Sequence, residues 1–372
     1  MSLFRKNKTT LMAARPLVLR HARILSTDGV REGDLHLRNG RIASGPESTS
    51  ASDEFEIDLD GLLIAPGLCD ADHALDQDFL PPIFPGPYLD RDRREAEIEK
   101  ESMNQPPEAK RADEDESFRA AALASLKEGV TCVASPRRPV GPTFPIRIPQ
   151  AVWFSSLVAE KHPSHKFAKA ENRPVFAPLA DGDSRDCARE TERFTEYGML
   201  RDNLLAIGGV GLRPADAAAL AFVGASLVWR PVTDEFVLGR TVGSDVLRAE
   251  NLRVLLGAGS RRDGGKGLLA ALRRADRLGH IDRARLLRAV TSDAGEAFRL
   301  PVGVIRKSAW ADLAVWRANN LAEAIFELGP AALEMTIAGG AVVLCRSSWA
   351  SKLAFFEDLR PDSGDGGFFS VI

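Results

Sequence analysis

The sequence predicts an α/β protein with a parallel sheet, closed or doubly wound, framed by short antiparallel strands. Two observations indicate this class. Between about residues 118 and 298, short apolar runs alternate with segments of helical spacing, which is the pattern of repeated βα units. Near both ends of the chain the helical segments give way to short strands with period-two alternation. With 372 residues, the chain can form one large domain and a smaller one.

The first elements are predicted to be the strands of a small antiparallel sheet. Residues 17–24 and 34–42 alternate between apolar and polar positions and are separated by Asp28-Gly29, a pair typical of hairpin turns. A third strand, 62–64, runs into Pro66-Gly67. A strongly charged stretch, 91–116, follows before the alternating core begins.

The core is predicted from its apolar spacing. A helix over 118–126 ends at Gly129, and 130–133 forms a buried strand. The further strands are predicted at 174–176, 204–207, 226–229 and 253–256, and the further helices at 187–200, 214–223, 245–250, 267–278, 282–289 and 293–298. Short strands return at 313–316 and 336–344, and the tail 347–372 is predicted to be mobile or dependent on a partner.

The composition excludes several classes of function. Forty-nine basic residues against 52 acidic ones give a net charge near −3, so neither nucleic acid nor a membrane is an expected partner. The four cysteines form no C-x-x-C pair, and no apolar run approaches the roughly 20 residues of a membrane span. We expect a cytoplasmic protein whose partner is a small molecule or another protein; a homodimer is possible.

Three segments resemble the amidohydrolase superfamily of metal-dependent C–N hydrolases, in its cytosine deaminase/chlorohydrolase-like branch. They are Leu-Ile-Ala-Pro-Gly-Leu at 63–68, Ala-Asp-Leu-Ala-Val-Trp at 311–316 and Ile-Ala-Gly-Gly-Ala-Val-Val at 337–343. The resemblance implies a (β/α)₈ TIM-like barrel plus a small β-sandwich. It also implies a composite sandwich from 17–65 and 302–346, a barrel over 66–301, and terminal extensions at 1–16 and 347–372.

The same resemblance implies where a metal would be held. Members of the superfamily carry a His-x-His pair, two further histidines and an aspartate at the barrel mouth. The matching positions are occupied here by Asp72, Ala74, Pro178, Gly208 and Gly259. Because alanine, proline and glycine side chains donate nothing to a metal, we expect no cofactor and no metal-hydroxide mechanism.

Other polar residues remain as candidates. Asp72, His73 and Asp181 are candidate catalytic residues, although His73 should face away from Asp72 because neighbouring strand residues alternate sides. The candidate binding residues at the barrel mouth are Asp72, Asp76, Asp181, Asp234 and Ser260. Structural or surface roles are expected for the remaining histidines, which are His21, His36, His162, His165 and His280.

Three functional hypotheses follow. The first is a metal-free pseudoenzyme, a barrel kept for binding a small molecule or a protein partner. The alternative is a C–N hydrolase or deaminase with a rebuilt site, in which Asp72, His73 and Asp181 supply acid–base groups or hold zinc or iron. The third is a structural subunit that pairs with an active relative through 91–116 or through the tail that carries Phe355, Phe356, Phe368 and Phe369.

Overall fold

Strands from both ends of the chain form one sheet in the computed structural model, which describes residues 16–26, 28–45, 54–82, 86–102, 107–137, 145–154, 163–349, 352–353, 360–361 and 367–370. The N-terminal strands are β1 (Leu17–Ser26), β2 (Gly29–Arg38), β3 (Arg41–Ile42), β4 (Phe55–Asp58) and β5 (Leu63–Pro66). The C-terminal strands are β13 (Leu313–Trp316), β14 (Leu333–Ala338), β15 (Ala341–Arg346), β16 (Arg360–Pro361) and β17 (Phe368–Ser370).

This terminal sheet is mixed rather than wholly antiparallel. Strands β1 and β2 pair antiparallel, as predicted, and so do β13 with β14 and β14 with β15. Strands β4 and β5, however, both pair with β1 in parallel, which corrects the expected small antiparallel sheet. Strand β5 also pairs with β13, and this pairing joins the two ends of the chain. The domain boundaries implied by the resemblance stay a prediction.

Part of the tail is ordered. Strand β17 pairs with β15, and Phe368 is buried, so residues 368–370 belong to the terminal sheet; the mobility or partner dependence of 347–372 stays a prediction. Phe355 and Phe356 lie outside the described residues. The use of this tail as a contact surface stays a prediction.

Parallel strands make up the middle of the chain. They are β6 (Leu68–Asp70), β7 (Val130–Val133), β8 (Val152–Trp153), β9 (Val175–Leu179), β10 (Leu204–Gly208), β11 (Ser226–Trp229) and β12 (Arg253–Leu256). Strands β8 to β12 form one sheet in chain order, and β6 pairs with β7. Two backbone hydrogen bonds join the end of β6 to the end of β12: Ala71 N–H to Leu256 at 2.9 Å and Gly259 N–H to Asp72 at 2.9 Å. The α/β class with parallel strands is therefore confirmed, and a closed eight-stranded barrel stays a prediction.

The helices of the described residues are α1 (Arg91–Ser102), α2 (Pro107–Leu126), α3 (Pro163–Ala168), α4 (Glu190–Glu196), α5 (Pro214–Val223), α6 (Pro231–Leu238), α7 (Ser244–Leu247), α8 (Leu268–Leu278), α9 (Arg283–Ala289) and α10 (Ser292–Ala297). The charged stretch 91–116 is thus largely helical, since Glu, Lys and Arg favour helices. Helix α6 was not predicted, although it has Pro231 in its first turn and left-handed Gly239 at its end. No helix among the described residues is long and apolar enough to cross a membrane.

The parallel strands bury apolar side chains on both faces. One set packs together in a cluster that includes Cys69, Cys132, Phe176, Leu205 and Leu255. The alternate residues of these strands, whose side chains point to the other face, pack with the helices in a second and larger cluster. Because side chains alternate along each strand, most strand positions are taken by this packing, and the charged residues of the site lie at or beyond the strand ends.

Candidate functional site

A buried arginine gathers three aspartates where the parallel strands end. The Arg230 guanidinium donates from one NH₂ group to both Asp181 oxygens at 2.9 and 2.7 Å, and from the other to Asp72 at 3.2 Å. Its Nε lies 3.4 Å from Asp234 Oδ1. All four residues are buried. We call Arg230, Asp72, Asp181 and Asp234 the charged cluster.

The local fold explains why these residues meet. Asp72 and Asp181 each lie two residues beyond a strand, β6 and β9, and Arg230 directly follows β11. Asp234 lies in the first turn of α6, where a carboxylate is favoured by the helix dipole. Carboxyl ends of parallel strands share one edge of the sheet, which is where α/β proteins place their sites.

The cluster has three carboxyl groups for one guanidinium. Burial opposes ionisation of Arg230, but the carboxylates of Asp181, Asp234 and Asp72 outweigh it and raise its pKa. Burial also raises the pKa of Asp72 and of Asp234, against the attraction of Arg230. Burial therefore acts against a cluster in which all three carboxyl groups are ionised at once. Arg91 adds a second positive charge, 3.6 Å from Asp181.

His73 faces away from the cluster and belongs to a separate buried network. Its Nδ1 lies 3.2 Å from Asp70 Oδ2 and its Nε2 lies 2.9 Å from Asp78 Oδ1. Asp78 also accepts from the backbone and the side chain of Arg261 at 2.6 and 3.1 Å. Burial disfavours the charged imidazole, but the bonds to Asp70 and Asp78 raise the pKa of His73 to about 10. A histidine that stays protonated at neutral pH cannot serve as a general base.

Two other predicted binding residues make contacts outside the charged cluster. Burial raises the pKa of Asp76, and its nearest ion-pair partner is Arg137 at 3.9 Å. Ser260 donates to Asp263 at 3.0 Å. The structure thus brings together Asp72, Asp181 and Asp234 and places Asp76 and Ser260 in separate contacts.

The remaining histidines occupy varied surroundings. His165 lies exposed on α3, as expected for a surface residue, whereas His162 lies outside the described residues. His280 stacks on Trp229 with ring centres 5.8 Å apart. This contact agrees with a structural role.

A segment that precedes α1 and enters its first turn covers the charged cluster. We call residues 86–94 the strap. Tyr88 N–H donates to Val237 O at 2.7 Å and Arg91 N–H donates to Asp181 O at 3.0 Å, while Arg94 Nε donates to Asp263 at 3.1 Å. The cavity left between strap and cluster measures only about 20 Å³, room for about one water molecule. Any larger ligand must displace the strap.

Weakening the ion pair between Arg94 and Asp263 should make the strap open more often. In Arg94→Gln, loss of a largely buried charged hydrogen bond, about 1.4 kcal/mol, should speed hydrogen exchange of the Tyr88 and Arg91 amides about tenfold. Mass-spectrometric exchange on peptides that span 86–94 measures this. Arg299→Gln, which breaks the exposed pair with Asp202, is the control. Equal rates in the two variants would contradict the role of Arg94.

Sequence reasoning missed the arginines of the site. Arg230, Arg91 and Arg94 carry the positive charge at the mouth. Arg230 had a usable signal, because it directly follows a predicted strand, as functional residues of parallel sheets do. The sequence held no signal for Arg91 and Arg94, because they lie in a stretch where charged residues are frequent throughout.

Comparison with protein-family models and with curated proteins found no match. Solved structures do match. A triazine hydrolase variant superposes with a TM-score of 0.73 at 17% identity, over 88% of this chain and 94% of that one. An adenosine deaminase from Xanthomonas campestris with bound zinc gives 0.65 at 15%, over 88% and 92%. N-isopropylammelide isopropylaminohydrolase from Burkholderia multivorans gives 0.64 at 17%, over 88% and 98%. This chain therefore shares the fold of these three proteins.

Proposed function

We propose that this protein binds a small molecule at the charged cluster without a resident metal ion. The observation that carries the proposal is the guanidinium of Arg230, which is already bonded to Asp72 and Asp181. Groups that are buried, charged and gathered at the strand ends of an α/β fold are typical of a binding site. Their mutual bonds leave little capacity to coordinate a metal.

The residues at the positions matched to metal ligands do not fit a zinc ion. Ala74, Pro178, Gly208 and Gly259 have no side-chain donor, whereas zinc needs three or four. The space that ligands from the two glycines would need is filled. A Cβ on Gly208 would lie 2.5 Å from the Asp181 carboxylate, and one on Gly259 would lie 2.1 Å from Thr233 Oγ1.

The chemistry of the cluster indicates the kind of ligand. Arginines donate hydrogen bonds and aspartates accept them, so a neutral molecule with donors and acceptors side by side suits the site. Amides, cyclic ureas and aminated heterocycles have this arrangement. Such a ligand would exchange the contacts of the strap with Asp181 and Asp263 for its own.

The metal content of the purified protein tests whether it has a resident metal ion. Protein purified without chelator or affinity-tag nickel should contain far less than one zinc, iron or manganese per chain by elemental mass spectrometry. A double variant, Asp72→Ala with His73→Ala, should leave that content unchanged. A full equivalent of metal that is lost in the double variant would overturn the proposal.

Ligand binding is tested separately by thermal shift with the three compound classes. Compounds that raise the melting temperature of the wild type should fail with Asp181→Asn and with Asp234→Asn, because each variant removes an acceptor from the cluster. Asp216→Asn is a matched control, since Asp216 is also a buried aspartate paired with an arginine, Arg213, but it lies at the start of α5. Shifts that persist in both cluster variants would count against binding at this site.

C–N bond hydrolysis is the second candidate, and the comparisons favour it. The similar structures are named as hydrolases and a deaminase, one of them with zinc. In this chain, burial raises the pKa of Asp234, and a buried acid of this kind is suited to proton transfer. Zinc or iron would be the cofactor if recruited ligands hold it. Release of ammonia or amine from the same compounds, enhanced by added zinc or iron, would establish this activity.

Co-purification tests the third hypothesis, in which the protein is a structural subunit that pairs with an active relative. Purification from the native source should bring no companion chain. Constant co-purification with an active relative would favour the third hypothesis.

A further inference from the structure

We propose that Asp263 selects ligands that carry a positively charged amidinium or guanidinium group, which takes the place that Arg94 of the strap occupies in the closed protein. Binding of a small molecule at the charged cluster is the premise, so this proposal rests on the proposed function. It adds a contact beside the cluster and names the charge that the ligand brings there.

Asp263 is held in place to receive a planar cation. Its Oδ1 accepts from Arg94 Nε at 3.1 Å and also pairs with a terminal NH₂ group of Arg94, so two nitrogens of one guanidinium face this carboxylate. Its Oδ2 accepts from Ser260 at 3.0 Å. The Asp263 amide donates to Ser260 O at 3.0 Å, and Gly264, with a φ of +77°, ends the turn. Backbone and side chain together therefore fix the direction of the carboxylate.

Asp263 borders the same small space as the charged cluster. This space under the strap is also lined by three residues of the cluster and by two apolar side chains, which are Asp181, Arg230, Asp234, Val237 and Leu238. Among the described residues, Asp234 Oδ1 is a buried atom without a hydrogen-bond partner, so the lining has an unused polar contact. A ligand that displaces the strap and binds the cluster therefore meets Asp263 as well.

Opening of the strap removes positive charge from this space and leaves the aspartates behind. Arg91 and Arg94 both belong to the strap and pair with Asp181 and Asp263. Asp181 keeps its two bonds from Arg230, whereas Asp263 loses its pair with Arg94. The Asp263 side chain is only 10% exposed, and a buried carboxylate that loses its cation is strongly destabilised. A ligand that brings a positive charge to Asp263 avoids this cost, and a neutral ligand does not.

The group that leaves indicates the shape of the cation that replaces it. Amidinium and guanidinium groups are planar and present neighbouring N–H groups to a carboxylate, whereas an ammonium group is a point charge. Arg94 already shows that a planar cation fits against Asp263. Among the compound classes of the proposed function, aminated heterocycles that are protonated at neutral pH contain the same N–C–N unit.

Benzamidine and benzamide are the matched probes, because they have nearly the same size and shape but only benzamidine is a cation at neutral pH. Titration calorimetry on the full-length wild type should give a dissociation constant about tenfold lower for benzamidine, as expected of a charge-assisted pair. In Asp263→Asn the two dissociation constants should become equal. Both probes share the cost of opening the strap, so their ratio reports the contact with Asp263.

Asp183→Asn is the matched control for negative charge near the strap. Asp183 pairs with Arg240, but its side chain is 51% exposed and does not line the space under the strap. This variant should keep the wild-type ratio, and loss of the ratio would reduce the effect to general attraction of cations and overturn the proposal. Arg94→Gln should instead tighten both probes by the same factor, because a strap that opens more easily lowers a cost common to both.

The remaining outcomes separate this proposal from the proposed function. Equal affinities of the two probes for the wild type, or a ratio that survives in Asp263→Asn, would overturn the role of Asp263 and leave binding at the cluster standing. No binding of either probe to the wild type and to Arg94→Gln would overturn both. If Asp263→Asn does not fold, a crystal structure of the wild type with benzamidine decides. The amidinium should lie against the Asp263 carboxylate, and any other position would overturn the proposal.

Discussion

Replacing His73 with glutamine is expected to lower the free energy of unfolding at pH 7 by about 3–5 kcal/mol. The imidazole is buried between Asp70 and Asp78, so glutamine removes the cation that these two buried carboxylates share, although Asp78 keeps its bond from Arg261. Asp70 keeps its bonds from the backbone amides of Asp72 and Ala258, which limits the loss. Urea denaturation of the wild type and the variant measures it.

The same network predicts the pH dependence of stability. The pKa of His73 is raised to about 10 in the folded protein from about 6.5 in the unfolded chain. Its contribution is therefore complete below about pH 6.5 and disappears as the pH rises through about 10. The unfolding free energy of the wild type should fall across this window, by up to about 5 kcal/mol from His73.

The His73→Gln variant should show a flatter profile over the same range. His165→Gln, a change at an exposed position on α3, should follow the wild type. Parallel profiles for wild type and His73→Gln would mean that His73 is neutral in the folded state, and would reopen its candidacy as a base.

The buried strands could be predicted from sequence because their signal is local. The predicted strands 130–133, 226–229, 253–256 and 313–316 have the bounds of β7, β11, β12 and β13, since each is an apolar run ended by a polar or turn residue. Strand β8 and the parallel pairing of β4 with β1 could not be predicted in this way. Both depend on partners distant in sequence.

The candidate site was predictable only in part, for a similar reason. The resemblance allowed Asp72, Asp181 and Asp234 to be placed together at the barrel mouth, and the structure does gather them around Arg230. The position of Arg230 between these aspartates could not be predicted. Helix α6 was not recognised, and the contacts of Arg230 span up to 158 positions. Asp76 and Ser260 were grouped with the site by sequence position alone. Ser260 bonds Asp263 three positions further on, whereas Asp76 lies near Arg137, which is distant in sequence.

Restoring an aspartate at position 259 is expected to destabilise the protein rather than to recreate a metal ligand. Gly259 has a φ of +66°, and an added Cβ would lie 2.1 Å from Thr233 Oγ1. Backbone strain of about 1–2 kcal/mol and overpacking of about 1–3 kcal/mol should together lower the unfolding free energy of Gly259→Asp by about 2–5 kcal/mol. Gly208→His should behave similarly, because its Cβ would meet the Asp181 carboxylate.

The Gly279→Ala variant separates the cost of backbone strain from the cost of overpacking. Gly279 has nearly the same φ, +65°, but an added Cβ there meets nothing within 4 Å, so its loss of stability reports backbone strain alone. The excess loss in Gly259→Ala over Gly279→Ala then measures the clash with Thr233. A Gly259→Asp protein as stable as the wild type would show that Thr233 can yield and that a side chain at 259 can enter the cluster. An excess of about 1 kcal/mol or more would instead mean that Thr233 does not yield, because the packing around position 259 has no room for a side chain.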